Sequence, residues 1–250
     1  MKKKKFKRYD HTDGFAPRPK GPVGQFLEIW LENIWSMIPI NVLYSFLRIL
    51  VIPGGLAQVG MTCVTSDQIR QRPSFGITDF FETMKKCWKK ALPAGVIIVL
   101  IWIFLIFAGW FYYTSSGILA TMGLGCCLVA MLYISLADHY LWIQIMIFKL
   151  PLKKIFKNAC LFVFVNLKQN LLLGAVQILG IAAAVAIFIL LPHSITLALL
   201  FLVSTCFFPG FYNLLVQQIV FPCVRKYLID PYYQEHPEED LELRKRMGLM

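Results

Sequence analysis

Charged side chains are scarce in this sequence of 250 residues, since Asp, Glu, Lys and Arg make up only 16% of it. Two long segments, Ala91–Ala137 and Gln169–Val224, contain none of the four. A soluble globular chain has about a quarter of its residues charged, and a helix crosses a bilayer with about 20 apolar residues. Each segment is therefore long enough for two crossings. The sequence predicts a polytopic helical membrane protein and argues against a water-soluble enzyme.

Motifs for catalysis and metal binding are also absent from the sequence. It contains no Walker loop, no HExxH pair, no nucleophile elbow and no paired carboxylates. None of the seven cysteines forms a C-x-x-C pair, and most lie in apolar runs, which favours small buried side chains over metal ligands or disulfides. We therefore expect no catalytic residues, no cofactor and no metal site.

Basic residues give the chain a formal net charge of +11, and their positions follow a pattern. Of the 25 Lys and Arg residues, 24 lie in the segments 1–25, 70–90, 149–168 and 225–246, while the turns 114–117 and 192–194 have none. The positive-inside rule then predicts that 1–25, 70–92, 149–168 and 225–250 face the cytosol, with both termini. Because these residues flank apolar segments, the expected partner is anionic lipid headgroups and not nucleic acid.

Turn residues divide the two charge-free segments into four predicted crossings. These are Ala94–Tyr113, a span starting at Ile118 whose apolar character continues to Phe148, Leu171–Leu191 and Ile195–Phe221. Upstream, the segments 34–52 and 56–69 are less apolar. They lie between the basic segments 1–25 and 70–90, and since both of these are predicted to be cytosolic, an even number of crossings must separate them. We therefore expect an all-α bundle of about six spans in one domain, 26–230, between a basic tail, 1–25, and a charged tail, 231–250.

An amphipathic segment follows the first predicted hairpin and recurs later in the chain. Its apolar positions are Ile77, Phe80, Phe81, Met84 and Trp88, with Lys85, Lys86, Lys89 and Lys90 on or beside the opposite face. A shift of 75 residues gives another apolar stripe, which includes Ile155 and Phe156, and a partial third copy follows at Val224. The pattern predicts three repeats of hairpin plus amphipathic helix. Such helices either lie in the headgroups or form a docking surface for a partner's cytosolic loops.

Ionisable residues inside apolar segments are candidates for function. Asp138 and His139 are expected near the cytosolic boundary, in an ion pair with Arg70 or a linker lysine, or else in a proton or ion path. Arg48 is expected near the outer face, with its side chain extended to the headgroups or in contact with an extracellular partner or anionic ligand. Polar side chains in the spans predict hydrogen bonds between helices, among them Asn41, Gln177 and Asn213.

A resemblance to a known family is carried by the first hairpin and the two lysine-rich segments. The stretches are 52–60, Gln71-Arg72-Pro73, Phe75-Gly76-Ile77-Thr78-Asp79-Phe80-Phe81, 84–91 and Leu152-Lys153-Lys154-Ile155-Phe156-Lys157-Asn158-Ala159. Over about residues 26–230 the chain resembles the YesL family. The resemblance implies a small bacterial integral membrane protein without an established biochemical activity, of a kind that commonly accompanies carbohydrate ABC importers and their solute-binding lipoproteins.

Two functions follow as expectations. The resemblance implies a non-catalytic accessory or assembly subunit of a bacterial carbohydrate ABC importer in the plasma membrane, with the permease subunits or the solute-binding protein as partners. The alternative, from the residues, is a solute transporter or channel in its own right, for which Pro39 and Pro209-Gly210 indicate broken helices. No residues support an intramembrane enzyme.

The distribution of basic residues gives a testable topology. A cysteine placed at Ser115 or Ser194, in the turns without basic residues, should react with a membrane-impermeant thiol reagent added to intact cells. A cysteine placed at Lys86 should react only after the cells are opened. Labelling at position 86 in intact cells would contradict the predicted orientation.

Overall fold

The computed structural model describes residues 22–70, 76–148, 150–190 and 193–231, which form helices and no strands. The predicted tails, 1–25 and 231–250, lie almost entirely outside the described residues. Within the described part of the chain, the expected all-α class is confirmed. In chain order the helices are α1 Pro22–Ile49, α2 Gly54–Ile69, α3 Ile77–Thr114, α4 Ile118–Ile147, α5 Leu152–Val165, α6 Leu167–Leu190, α7 His193–Cys206 and α8 Phe208–Val224.

Three of the helices are long and apolar enough to cross a membrane, namely α3, α4 and α6. The pair α7 and α8, bent by 47° at its break, can make a fourth span. These helices contain the four crossings predicted from the charge-free segments, so the expected membrane class is supported. Neither α1 nor α2 is among the candidate spans, and the predicted count of six is not confirmed.

The two amphipathic segments differ in how they join the spans. The first is continuous with its span, because α3 runs unbroken over 38 residues and contains Pro93 in its interior. The second is the separate helix α5, which ends at Val165 and is followed by Asn166. The third predicted copy is a π-helical turn, Arg225–Ile229, directly after α8. The repeat is therefore one of sequence pattern, and the three segments do not share one local structure.

Helix α2 is the most buried helix of the described bundle, with 11 of its 16 residues buried. Its small side chains allow close contact with α3. A Cβ atom added at Gly55 would lie 2.6 Å from the Ala91 carbonyl oxygen and 2.8 Å from the Cα atom of Gly95. Five residues further along, a Cβ atom at Gly60 would lie 2.8 Å from the Phe80 ring. Glycine at these positions lets the two backbones pack almost directly against each other.

These contacts place α2 beside the basic end of α3. Gly55 meets Gly95, near the start of the charge-free segment, and Gly60 meets Phe80, so the tip of the α1–α2 hairpin does not extend along the apolar half of α3. Buried side chains concentrate at the same end, within 91–98, 136–145, 155–163 and 216–229. The other halves of α3, α4 and α6 expose large apolar side chains, such as Phe104, Leu119 and Leu190. The bundle thus has a packed end and an exposed apolar end.

The contact between α2 and α3 predicts that a single added methyl group lowers the stability of the protein. We expect Gly55→Ala to destabilise the protein by about 1–3 kcal/mol, because the added Cβ meets backbone atoms that cannot rotate away. Thermal unfolding in detergent should show a lower Tm.

The matched control is Gly125→Ala in α4, where an added Cβ has nothing within 4 Å. Alanine favours the helix there by about 1 kcal/mol, so this variant should unfold at the wild-type temperature or above. Equal Tm values for the two variants would contradict the close α2–α3 contact.

Candidate functional site

A cavity of about 520 Å³ lies between α1, α2, α4, α7 and α8. Among the residues that line it are the three ionisable candidates from the sequence, Arg48, Asp138 and His139. The sequence placed Arg48 near the outer face and Asp138 at the cytosolic boundary, but the structure brings both to this one cavity. The reason is the position of the first hairpin, whose tip packs beside Gly95.

The break between α7 and α8 forms one wall of the cavity. Pro209 has no N–H to donate to the Thr205 carbonyl four residues earlier, so the helical ladder is interrupted there. Two side chains of α1 bond to carbonyls at the break. The Asn41 amide donates to the Cys206 oxygen at 2.7 Å, and the Ser45 hydroxyl donates to the Thr205 oxygen at 3.4 Å. Helix α1 thereby stabilises the bend by donating hydrogen bonds to backbone carbonyls at the break.

Gln58 is the centre of a polar network on the floor of the cavity. Its Oε1 atom accepts hydrogen bonds from the Tyr44 hydroxyl at 2.5 Å and from Arg48 Nη1 at 2.8 Å. Its Nε2 atom donates to Asn213 Oδ1 at 2.9 Å, and Asn213 donates in turn to the Pro209 carbonyl at 2.9 Å. The network ties α1, α2 and α8 together, and it confirms the predicted interhelical hydrogen bonding of Asn213.

The guanidinium group of Arg48 lies against this network. Its Nη1 atom also donates to the Tyr44 hydroxyl at 2.8 Å, while Nε and Nη2 make no hydrogen bond to another described residue. The residue as a whole is exposed, which places it at the mouth of the cavity. Arg48 is thus held at the cavity by Tyr44 and Gln58.

Asp138 contributes the carboxylate of the cavity. Its Oδ1 atom accepts a hydrogen bond from Trp142 Nε1 at 2.7 Å. Among the described residues, no Lys or Arg nitrogen lies within 4.0 Å of this carboxylate, so the expected ion pair is not formed with any of them. The guanidinium of Arg70, its predicted partner, lies 4.1 Å from the centre of the Phe221 ring.

His139 connects the cavity to α6. Its Nε2 atom lies 2.8 Å from the Tyr212 hydroxyl and 3.0 Å from the amide nitrogen of Gln177, which also donates to Ser135 Oγ at 3.0 Å. Gln177 Nε2 also donates to the Tyr212 hydroxyl, so the two N–H groups of this amide are shared among three neighbouring side chains. The described residues contain no group of three side chains able to hold a metal ion.

Several residues of the site were not found by sequence reasoning. Tyr44, Ser45 and Tyr212 are uncharged and have no motif around them. Gln58 lies in the stretch 52–60, which carries the family resemblance but indicates no binding role for this side chain. One signal was present: Asn41, Ser45 and Arg48 recur at intervals of four and three residues, which places them on one face of α1. A polar stripe on an otherwise apolar helix indicates a polar neighbour, although it does not identify that neighbour.

The predicted apolar face at the start of α3 is partly buried and partly exposed. Phe80 is completely buried under α2, with Met84 packed beside it, whereas Phe81 and Trp88 are 40% and 52% exposed. The lysines also differ from one another. Lys86 pairs with Glu82 at 2.7 Å, and Lys90 donates to the Phe148 carbonyl at 3.1 Å. Lys85 and Lys89 are exposed, and Lys89 Nζ lies 6.0 Å from the Trp88 ring.

The second amphipathic helix, α5, lies against the core. Ile155 is completely buried there, and Phe156 packs against the same cluster. Tyr140 holds the end of α5, since its hydroxyl donates to Asn170 Oδ1 at 2.8 Å and accepts from the Asn166 amide at 3.0 Å. The exposed part of the predicted partner surface is therefore confined to the first segment.

No protein-family model, curated protein or solved structure matches this chain. The resemblance to the YesL family therefore stays a prediction from the residues quoted above. The cavity offers hydrogen-bond donors, acceptors and both signs of charge in one place, an arrangement suited to binding a polar solute.

Proposed function

We propose that the protein is a membrane solute transporter that binds a small polar solute in the cavity beside the α7–α8 break. The observation that carries this proposal is the meeting of Arg48, Asp138 and His139 in one open cavity of an otherwise apolar bundle. Ionisable side chains within membrane helices are costly, and they are found where they face a binding site or a water-filled path.

The broken helix supports the same function. Transporters commonly bind their substrates at discontinuous helices, where backbone and side-chain polar groups face a cavity. Here Gln58, His139 and Asn213 are buried on the inner side, whereas Arg48 and Ser204 are exposed at the mouth. A solute entering past the exposed residues would meet a floor of fixed hydrogen-bonding groups.

The proposed location is a bacterial plasma membrane, with the four basic segments on the cytosolic side. Because the tip of the α1–α2 hairpin lies beside Gly95, this hairpin can enter and leave the bilayer on the same side. Four crossings, made by α3, α4, α6 and the α7–α8 pair, then satisfy the positive-inside rule as well as six do.

Blocking the cavity should abolish transport. In proteoliposomes loaded with buffer and exposed to a mixture of labelled metabolites, we expect the wild-type protein to import at least one polar solute. We expect Ser204→Trp to lower that import about tenfold or more, because an indole at the mouth occupies the space of the solute.

The control for this variant is Ser36→Trp, at an exposed position of α1 that does not line the cavity. Its import should equal that of the wild type. Equal import by both tryptophan variants, or no import above empty liposomes by the wild type, would contradict the proposed function.

A second candidate function is favoured by the exposed face of the first amphipathic segment. Phe81, Lys85 and Trp88 follow one another at intervals of four and three residues, so they share one helix face, and all three are exposed. Exposed aromatic rings beside lysines suit a cytosolic loop of a partner such as the permease of a carbohydrate importer, as well as anionic lipid. An accessory or assembly subunit would use this face.

Substitutions on this face distinguish a protein partner from lipid. We expect the double variant Phe81→Ser, Trp88→Ser to lose importer subunits during affinity purification in mild detergent, while it still inserts normally. Reversing Lys85 and Lys89 to Glu should weaken binding to anionic vesicles by about 1 kcal/mol per residue whichever partner is used. If importer subunits still co-purify with the serine variant, this face is not part of a protein interface.

A further inference from the structure

Two opposite charges line the cavity without contacting each other. Arg48 and Asp138 are the charged residues among its described lining, and no nitrogen of Arg48 lies within 4.0 Å of a carboxylate oxygen of Asp138. A direct ion pair would be the expected outcome for two such groups in an apolar bundle. Their separation within one cavity indicates that something polar belongs between them.

In each charged group, some atoms are hydrogen-bonded to neighbouring side chains and the others make no hydrogen bond to a described residue. Arg48 is fixed through Nη1 by Tyr44 and Gln58, which leaves Nε and Nη2 without a hydrogen bond to described residues. Asp138 is fixed through Oδ1 by the indole of Trp142, and Oδ2 makes no hydrogen bond to a described residue. This is the arrangement of a binding site, in which surrounding residues orient a charged group and its free atoms meet the ligand.

Charge balance selects the class of ligand. A monoanion would pair with Arg48 but place a second negative charge near Asp138, and a monocation would meet the reverse difficulty at Arg48. A neutral solute that displaces water from the cavity would leave both charges without a counter-charge, which is costly. A molecule that carries one carboxylate and one ammonium group compensates both charges at once.

We propose, on the basis of the solute site described above, that the solute is a small zwitterion of the amino-acid type. Its carboxylate binds the free guanidinium nitrogens of Arg48, and its ammonium group binds Asp138. The juxtaposition of these two residues in one cavity, each oriented by its own hydrogen-bonded neighbours and neither bonded to the other, carries the proposal.

The remaining lining leaves room for a side chain on the zwitterion. Phe201, Phe208 and Ile49 supply apolar surface, and the rings of Phe208 and Tyr212 are stacked with centroids 5.5 Å apart. The volume of about 520 Å³ lies within the range of small-molecule sites. His139 contributes less to charge recognition, because its Nε2 atom is already bonded to Tyr212 and Gln177.

The test uses the purified full chain in detergent and a set of small ligands. The 20 common amino acids are first compared by their effect on the Tm, and the strongest is then measured by calorimetry beside its carboxamide and its deaminated acid. We expect both analogues to bind about tenfold to a hundredfold more weakly, since each lacks one charged partner in the cavity.

Charge-neutralising variants show which residue binds the ammonium group of the ligand and which binds its carboxylate. Asp138→Asn keeps an acceptor for Trp142, and in this variant the amino acid should lose its advantage over the deaminated acid. Arg48→Gln should lose the advantage over the carboxamide in the same way. Arg225→Gln and Asp230→Asn neutralise a surface pair separated by 3.3 Å, and both should keep the wild-type preferences. A loss of folding would weaken all ligands alike and would not produce this selective pattern.

The outcomes separate this inference from the proposed function. If no amino acid binds, but a neutral solute such as a hexose binds and Ser204→Trp abolishes its binding, the cavity is a solute site and the zwitterion inference is wrong. Equal binding of the amino acid and both analogues would also overturn the inference. If no solute of any class binds or is imported, then the proposed function fails as well.

Discussion

The close contact of Gly55 with Gly95 is the constraint on which the rest of the structure depends. It fixes the tip of the α1–α2 hairpin beside the start of the charge-free part of α3, and with it the end of α1 that carries Arg48. Trp142 lies beside the same contact: its ring is 3.9 Å from the position of a Cβ atom added at Gly95, and its indole holds Asp138. A longer side chain at either glycine would separate the helices that bring the two charges to one cavity.

The requirement that buried carbonyls find donors explains why the broken helix and the cavity occur together. Pro209 interrupts the ladder between α7 and α8, and α1 supplies the replacement donors through Asn41 and Ser45. The same face of α1 continues to Arg48, so the helix that stabilises the break also carries the guanidinium group. The bend and the candidate binding site therefore share one structural cause.

The two proposed functions use different parts of the packed end of the bundle. The cavity lies where five helices meet, and its polar side chains are fixed by hydrogen bonds to their neighbours. The exposed face of α3 lies on a single helix, and its aromatic side chains, Phe81 and Trp88, are exposed whereas Phe80 is buried. Binding of a solute and docking of a partner would thus use different surfaces of the same chain.

The sequence by itself determined the all-helical class, the four apolar segments long enough to span and the segregation of basic residues, because these properties depend on local composition. Only the tertiary structure decided the site, since Gln58 and Asn213, which bond directly, are 155 residues apart. The burial of Phe80 and the exposure of Phe81 were likewise decided by the position of α2. Periodicity shows that a helix has an apolar face, but the neighbours that cover part of that face are chosen by packing between distant segments.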